Sequence, residues 1–117
     1  ESLHGDKLKT ARRLFTKKII TSLPDVIITS NDLIAQGIIS AAHENGINIP
    51  NDMQITGFDD SLSSAYFIPS VTTVSQNIDE LAKRCFSMLM DLINKKSVVS
   101  SIIEQNIIAR NSAKINI

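Results

Sequence analysis

The fold class predicted for this sequence rests mainly on the segment Val26-Ile27-Ile28-Thr29-Ser30-Asn31-Asp32. Apolar and β-branched residues come first, polar residues follow, and Leu33 begins a helical repeat of apolar residues. This order predicts a buried strand over 26–30 that turns directly into a helix. In an open α/β sheet, such a junction lies at the carboxyl end of a strand, where ligands bind. Asn31 is therefore the first candidate ligand-binding residue.

Helices and strands alternate on both sides of this junction. A helix is predicted over 7–22, and a second over 32–45, where Gly46 favours a left-handed end. The other predicted elements are a buried strand over 53–58, a helical turn over 61–66, a more exposed strand over 71–74, a helix from Asn77 to about Asn94, and a last strand over 102–109. Strands that helices separate favour parallel pairing with right-handed crossovers. The sequence thus predicts an α/β fold, with a parallel sheet flanked by helices.

The helix predicted after residue 77 carries a long apolar stripe. Asn77 is predicted to cap this helix, with Glu80 at the third helical position in a capping-box arrangement. The stripe consists of Ile78, Leu81, Ala82, Cys85, Leu89, Leu92 and Ile93. Such a stripe needs a partner surface, and Cys85 within it is predicted to be a small core residue.

The composition describes a globular chain without a surplus of either charge. Its 117 residues are 43% apolar and 21% charged, and the formal net charge is zero. Phosphate attraction requires a surplus of Lys and Arg, so this chain itself is not predicted to bind nucleic acid. Six of the 12 basic residues lie within 7–18, and we interpret them as one solvated helix face.

Cysteine content and hydropathy favour a reducing compartment without membrane insertion. Cys85 is the single cysteine of the chain, so an intramolecular disulfide is impossible. The sequence has neither a run of 18 apolar residues nor a signal peptide, and we predict a cytoplasmic protein. Because residue 1 is Glu rather than Met, we expect the chain to be part of a longer protein.

A second polar junction follows the strand predicted over 53–58. Asp59 stands there, 28 residues after Asn31. If the two strands are neighbours, both side chains emerge at the same edge of the sheet. An amide and a carboxylate together suit a ligand rich in hydroxyl or N–H groups, such as a sugar or a nucleoside. The alternative is that both residues only cap local structure, and spacing alone leaves both interpretations open.

The sequence contains no pattern that predicts catalysis, a metal site or a cofactor. Asp59 and Asp60 are adjacent, so their side chains are expected to point to opposite sides rather than converge on one substrate atom. His4 and His43 are far apart, and neither an HxxxH nor a CxxC pattern is present. The chain also lacks GxSxG, Walker and GxGxxG motifs, so we do not predict an enzyme.

Three runs of sequence cover most of residues 20–113. They are PDVIITSNDLIAQGIISAAHENGINIPNDMQITGFDD, followed by IPSVTTVSQNIDELAKRCFSMLMDLI and then IIARNS. Their motifs stand in a fixed order and spacing: Asn31-Asp32, Gly46, Pro50, Gly57-Phe58-Asp59-Asp60, Pro69, Thr72-Thr73-Val74, Gln76 and Arg110-Asn111-Ser112. Over about 20–113, the sequence therefore resembles the lactose/galactose-repressor family of bacterial transcription regulators.

This resemblance implies a particular place for the chain in a larger protein. The family has an amino-terminal helix-turn-helix and a two-lobed effector-binding core similar to periplasmic sugar-binding proteins. The chain corresponds to the carboxyl-terminal part of that core, without the helix-turn-helix and most of the amino-terminal lobe. By this resemblance, 1–74 would form the carboxyl-terminal lobe, 75–105 would pack on the missing lobe, and 106–117 would be the returning strand. Such a portion is expected to bind effector weakly or not at all on its own.

The resemblance also implies site residues and partners. Asn31 and Asp59 correspond to positions that contact effector hydroxyls, and Gln76 to a position near the cleft between the lobes. The helix that carries Gln36 and the segment around Phe67 correspond to parts of a dimer interface. The implied partners are a small-molecule effector such as a sugar, operator DNA through the missing amino-terminal domain, and a second copy of the protein in a dimer. No cofactor is implied.

Three functions remain as alternatives at this point. The first is an effector-sensing domain of a DNA-binding transcriptional repressor, which the segment 72–76 after Pro69 favours. The second is a solute-binding protein of a sugar transporter, because it shares the fold. The third is an α/β enzyme acting, for example, on a nucleoside, which would need a nucleophile or base that the sequence does not offer.

Overall fold

The computed structural model describes residues 6–114. The elements are α1 (Lys7–Leu14), a π-helical turn (Phe15–Ile19), β1 (Val26–Ile28), α2 (Asp32–Glu44), β2 (Gln54–Thr56), α3 (Leu62–Tyr66), β3 (Thr73–Ser75), α4 (Ile78–Ile93) and β4 (Asn106–Ile108). The predicted order of helices and strands is confirmed, although the strands are shorter than predicted. His4 and both ends of the predicted 1–117 domain lie outside the described residues.

Helices α1 and α2 pack closely on each other. The contact is tight at Gly37, where an added Cβ would lie 2.7 Å from the carbonyl oxygen of Leu8. Arg12 of α1 also forms a forked ion pair with Glu44 of α2, at 2.6 and 2.7 Å, and donates to the hydroxyl of Ser40. The lack of a side chain at residue 37 therefore lets two backbones approach, and the fork fixes their relative position.

Strands β1 and β2 are parallel, as predicted, with Ile27 opposite Ile55. The core lies between these strands and the helices, and its largest buried apolar side chains are Phe15, Ile39, Met53, Ile55 and Val71. The prediction that β1 is a buried strand is wrong, because Val26 and Ile28 are 48% and 80% exposed. Alternate residues of a strand face opposite sides, and the helices cover only the side of Ile27.

The segment before β3 extends the first sheet, because Thr72 forms a parallel bridge with Thr56. The prediction of a more exposed third strand is wrong for residues 71–73, which are buried. Their burial is tolerated because the threonine hydroxyls are bonded, that of Thr72 to the carbonyl of Arg110 and that of Thr73 to the carboxylate of Asp32.

Strand β4 is antiparallel to β3, with Val74 opposite Ile107. The prediction of parallel pairing for the last strand is therefore wrong. After α4, the chain runs back alongside β3 as β4 and does not cross over the sheet of β1 and β2. A helix between two strands predicts parallel pairing only when both strands belong to the same crossover unit.

Helix α4 lies apart from the core, and none of its residues is buried. The Cα radius of gyration is 18.0 Å, whereas a compact chain of this length has about 13 Å. Cys85 is exposed, so its predicted core position is wrong. The predicted cap is also wrong, because Asn77 has left-handed backbone angles and its side chain makes no capping bond. The division at residue 75 into lobe-associated segments stays a prediction.

Within residues 6–114, no helix is both long and apolar enough to cross a membrane.

Candidate functional site

The junction between β1 and α2 places Asn31 at the first turn of the helix. Asn31 has extended backbone angles, and its side-chain oxygen accepts a hydrogen bond of 2.9 Å from the backbone N–H of Ile34. This is the bonding pattern of an N-cap. Among residues 6–114, the amide nitrogen of Asn31 donates no hydrogen bond, so its two N–H groups stay available. The cap and a ligand contact use different atoms, so they are compatible.

Asp32 forms hydrogen bonds to several segments at this edge of the sheet. We did not predict this role. Its side chain is 1% exposed and accepts bonds from the hydroxyl of Thr73 at 2.6 Å and from the N–H of Ser61 at 2.7 Å. Its own N–H donates to the carbonyl of Phe58 at 2.9 Å. Asp32 thus joins the ends of three separate segments around Asn31.

Gly57 makes room for the Asp32 carboxylate. A Cβ at Gly57 would lie 2.1 Å from Oδ1 of Asp32 and 3.1 Å from its Cα. Any side chain at residue 57 would therefore displace the carboxylate from its donors, Ser61 and Thr73. The motifs Asn31-Asp32 and Gly57-Phe58-Asp59-Asp60 lie side by side in the fold, and the glycine of the second leaves space for the carboxylate of the first. The presence of both motifs in the sequence was the signal from which the role of Asp32 could have been found.

Asp59 and Gln76 meet at the same edge. The side-chain amide of Gln76 donates to Oδ1 of Asp59 at 2.6 Å, and the backbone N–H of Asp59 donates to the carbonyl of Val74 at 3.0 Å. Asp59 is exposed and Gln76 is half-buried. The structure therefore brings two of the three predicted site residues into contact, and the Asp32–Phe58 bond holds Asn31 on the same side of the sheet.

Asp60 has a different partner from Asp59. One guanidinium nitrogen of Arg110 donates to Oδ1 of Asp60 at 2.6 Å, and the other donates to the carbonyl of Val71 at 2.9 Å. The two carboxylates thus have separate partners, Gln76 and Arg110. Arg110 was not predicted as part of this edge, because 50 residues separate it from Asp60.

The chemistry that this edge offers is hydrogen bonding. It presents the amide donors of Asn31 and an accessible carboxylate on Asp59, with the amide of Gln76 beside it. In residues 6–114, the His, Cys, Asp and Glu side chains form no group of three that could hold a metal ion. Such an arrangement can exchange internal hydrogen bonds for bonds to a hydroxyl-rich ligand.

A separate surface cavity of about 430 Å³ lies at the other end of α2. It is lined by Ile39, His43, Gly46, Ile47, Asn48, Ile49, Ile68 and Pro69. Its lining is mainly apolar and includes none of the predicted site residues. His43 is exposed there, as expected for a solvated helix residue.

Gln36 lies on the helix predicted to contribute to a dimer interface. Its side chain is 4% exposed and donates to the hydroxyls of Ser63 and Ser64 at 2.8 and 3.1 Å. Gln36 thus links α2 to α3 by hydrogen bonds within one chain. Phe67 follows α3 and packs against the core while remaining half-buried. The interface itself stays a prediction.

Known proteins share both the sequence pattern and the fold. The pattern of the periplasmic binding protein-like domain matches residues 3–113. The chain is 35% identical over 95 residues to the HTH-type transcriptional repressor PurR of Pasteurella multocida, an alignment that covers 80% of this chain and 28% of PurR. The chain spans only 24–28% of the curated relatives' lengths.

Solved structures agree with this relationship. The periplasmic binding ribose operon repressor protein from Lactobacillus acidophilus superposes with a TM-score of 0.83 at 30% identity, covering 97% of this chain and 42% of that one. A LacI-type transcription regulator from Bifidobacterium animalis superposes with a TM-score of 0.77 at 26% identity, covering 93% and 39%. The predicted resemblance and the α/β fold are thereby confirmed. The chain belongs to the periplasmic binding protein-like domain family, in the form found in LacI-type transcription regulators.

Proposed function

We propose that this chain forms one wall of the effector-sensing site of a transcriptional repressor, and that Asn31, Asp59 and Gln76 bind the effector. The contact between Gln76 and Asp59, at the edge where Asn31 presents free amide donors, is the observation that carries the proposal. The relatives support the regulatory role, because the similar proteins are named as repressors and regulators rather than transport proteins.

The chemistry of the edge favours a sugar as effector. A hydroxyl can donate to the carboxylate of Asp59 and accept from the amide of Asn31, so one hydroxyl-rich ring can satisfy both. Hydrogen bonds to a charged acceptor are also stronger than those between neutral groups. The similar structure from L. acidophilus is named as a ribose operon repressor, which makes D-ribose the first ligand to test.

The remaining partners follow from the proposed role. Operator DNA would be bound by a separate domain, since the net charge of this chain is zero. The whole protein would act in the cytoplasm as a homodimer. Effector binding would favour one arrangement of two lobes over another and so change the affinity for DNA. Asp59 is suited to transmit such a change because its partners are Val74, in β3, and Gln76, just after it, and this segment would lead out of the lobe.

A thermal-shift panel on the full-length protein tests the ligand class. The panel contains pentoses, hexoses, their phosphates and nucleosides. A sugar present at 100 times its Kd should stabilise the wild type by about 2.7 kcal/mol. The Asp59→Gly variant should lose most of this shift, because glycine suits the backbone angles at this position but lacks the carboxylate. Equal stabilisation of both proteins would remove Asp59 from the site.

A second variant separates the two roles of Asn31. Asn31→Ser keeps an oxygen that can cap α2 but removes the amide donors. We expect a free energy of unfolding close to that of the wild type and a clear loss of sugar affinity, measured by calorimetry. If Asn31→Ser binds the sugar as tightly as the wild type, Asn31 acts only as a cap.

A further inference from the structure

Asp59 of the proposed site and the residue that follows it both have positive φ angles. The φ angles are 103° at Asp59 and 51° at Asp60, although neither residue is glycine. Such angles cost free energy in residues that have a Cβ, so they persist only where surrounding contacts hold them. The contacts that hold this pair therefore decide where the Asp59 carboxylate lies.

Arg110 makes the charged contact that holds Asp60. Its two terminal nitrogens bridge the Asp60 carboxylate, at 2.6 Å, and the carbonyl of Val71, at 2.9 Å. The side chains of Arg110 and Asp60 are 18% and 26% exposed, so water screens this ion pair only in part. The backbone N–H of Arg110 also donates to the hydroxyl of Thr72, which fixes the base of the arginine side chain.

We infer that Arg110 is a positioning residue of the effector site, acting on Asp59 through Asp60. This inference rests on the proposed function. The two aspartates share one planar peptide unit, so a change in φ at Asp60 turns Asp59 relative to the rest of the loop. The carboxylate of Asp59 would then move away from Gln76 and would no longer lie where the ligand contacts it.

The geometry explains why arginine suits this position. A guanidinium presents several N–H groups in one plane, so it can bind a carboxylate and a carbonyl at the same time. A lysine keeps the charge but presents a single ammonium group on a flexible stem. Arg110→Lys should therefore retain part of the effect of the ion pair, whereas Arg110→Gln should lose it.

Arg12 provides a matched control. Like Arg110, it binds a carboxylate with one terminal nitrogen, that of Glu44, and a second oxygen with the other, the hydroxyl of Ser40, but at the carboxyl end of α2. Asn31 lies at the other end of this helix, roughly 20 Å away for its 13 residues. Arg12→Gln should thus cost stability without changing the site.

The experiment measures D-ribose binding by the full-length protein, with titrations that extend into the millimolar range. We expect Arg110→Gln to weaken binding about tenfold or more, Arg110→Lys to weaken it less, and Arg12→Gln to leave it within about twofold. In an Asp59→Gly background, Arg110→Gln should change the affinity less than about twofold, because the carboxylate that Arg110 positions is already absent. A contact that only stabilises the fold would not produce this dependence on Asp59.

Hydrogen exchange at the Asp59 amide gives a measurement that needs no ligand. This amide donates to Val74, and its exchange should accelerate in Arg110→Gln while that of the Ile55 amide, which donates to Ser112, stays protected. Equal losses of affinity with and without Asp59, or unchanged exchange at Asp59, would overturn the positioning role. If the wild type does not bind D-ribose, the ribose assignment fails, and hydrogen exchange alone decides the role of Arg110.

Discussion

Helices α2 and α4 have similar lengths and opposite environments. Eight of the 13 residues of α2 are buried, whereas none of the 16 residues of α4 is. In both helices the sequence repeats apolar residues at helical spacing. An apolar stripe therefore predicts that a helix needs a partner surface, while the rest of the chain determines which surface that is.

The side chains on the two helices differ in a way that fits this contrast. The buried face of α2 includes Gly37, which allows the close approach of α1, and the small residues Ala41 and Ala42. The stripe of α4 consists mainly of large residues, such as Leu89 and Leu92, which are more than half exposed. Small residues permit backbone contact, whereas large ones need a surface with matching pockets.

The largest expected effect compares a phenylalanine that packs in the same core as α2 with a phenylalanine on α4. Phe15 is fully buried beside α1, and Phe86 on α4 is 66% exposed. In the 117-residue chain, Phe15→Ala should lower the free energy of unfolding by about 3–5 kcal/mol, because it leaves a cavity in the core. Phe86→Ala should change it by less than about 0.5 kcal/mol. Urea denaturation measures both, and similar losses would mean that α4 is packed as well as α2.

A smaller effect is expected from the residues that begin the two helices. Asn31→Ala removes the hydrogen bond to the N–H of Ile34 and should cost about 1 kcal/mol. Asn77 makes no such bond, and its φ of 52° suits glycine. Asn77→Gly should therefore leave the free energy of unfolding unchanged or raise it slightly. A loss as large as that of Asn31→Ala would show that Asn77 does cap α4 in solution.

Leu89→Glu is expected to have the smallest effect on the stability of the fold. It should have a clear effect on self-association. The 117-residue chain should self-associate through the exposed stripe of α4, and light scattering should detect this at high concentration. A charge at residue 89 should reduce the association without changing the unfolding midpoint. Ser87→Glu adds the same charge to the same helix outside the predicted stripe and is the control. A wild-type chain that stays monomeric would contradict this interpretation of α4.

Much of the fold could be predicted because its signals are local. The alternation of apolar and polar residues located each helix and most strands, and Gly46 has the left-handed φ of 72° that its place after α2 suggested. The junctions at Asn31 and Asp59 could likewise be placed at one sheet edge, because parallel neighbouring strands end on the same side.

The remaining features depend on residues that are distant in sequence. The antiparallel direction of β4 is set by its pairing with β3, and no pattern within residues 102–109 encodes it. Thr73, which bonds to Asp32, and Arg110, which bonds to Asp60, lie 41 and 50 residues further along the chain than these carboxylates. A local pattern can suggest that a carboxylate caps a helix or faces solvent, but it cannot identify a hydroxyl or guanidinium that only the tertiary fold brings near.

These distances along the sequence impose an order of assembly on the proposed site. During synthesis, Asp32 and Asp60 emerge well before Thr73 and Arg110, the residues that later bond to them. Contacts between such remote residues form slowly, because a long loop must close first. The packing of α1 on α2 needs no residue beyond Glu44. The scaffold can thus form early, while the ligand-facing edge matures only after the returning strand has been made.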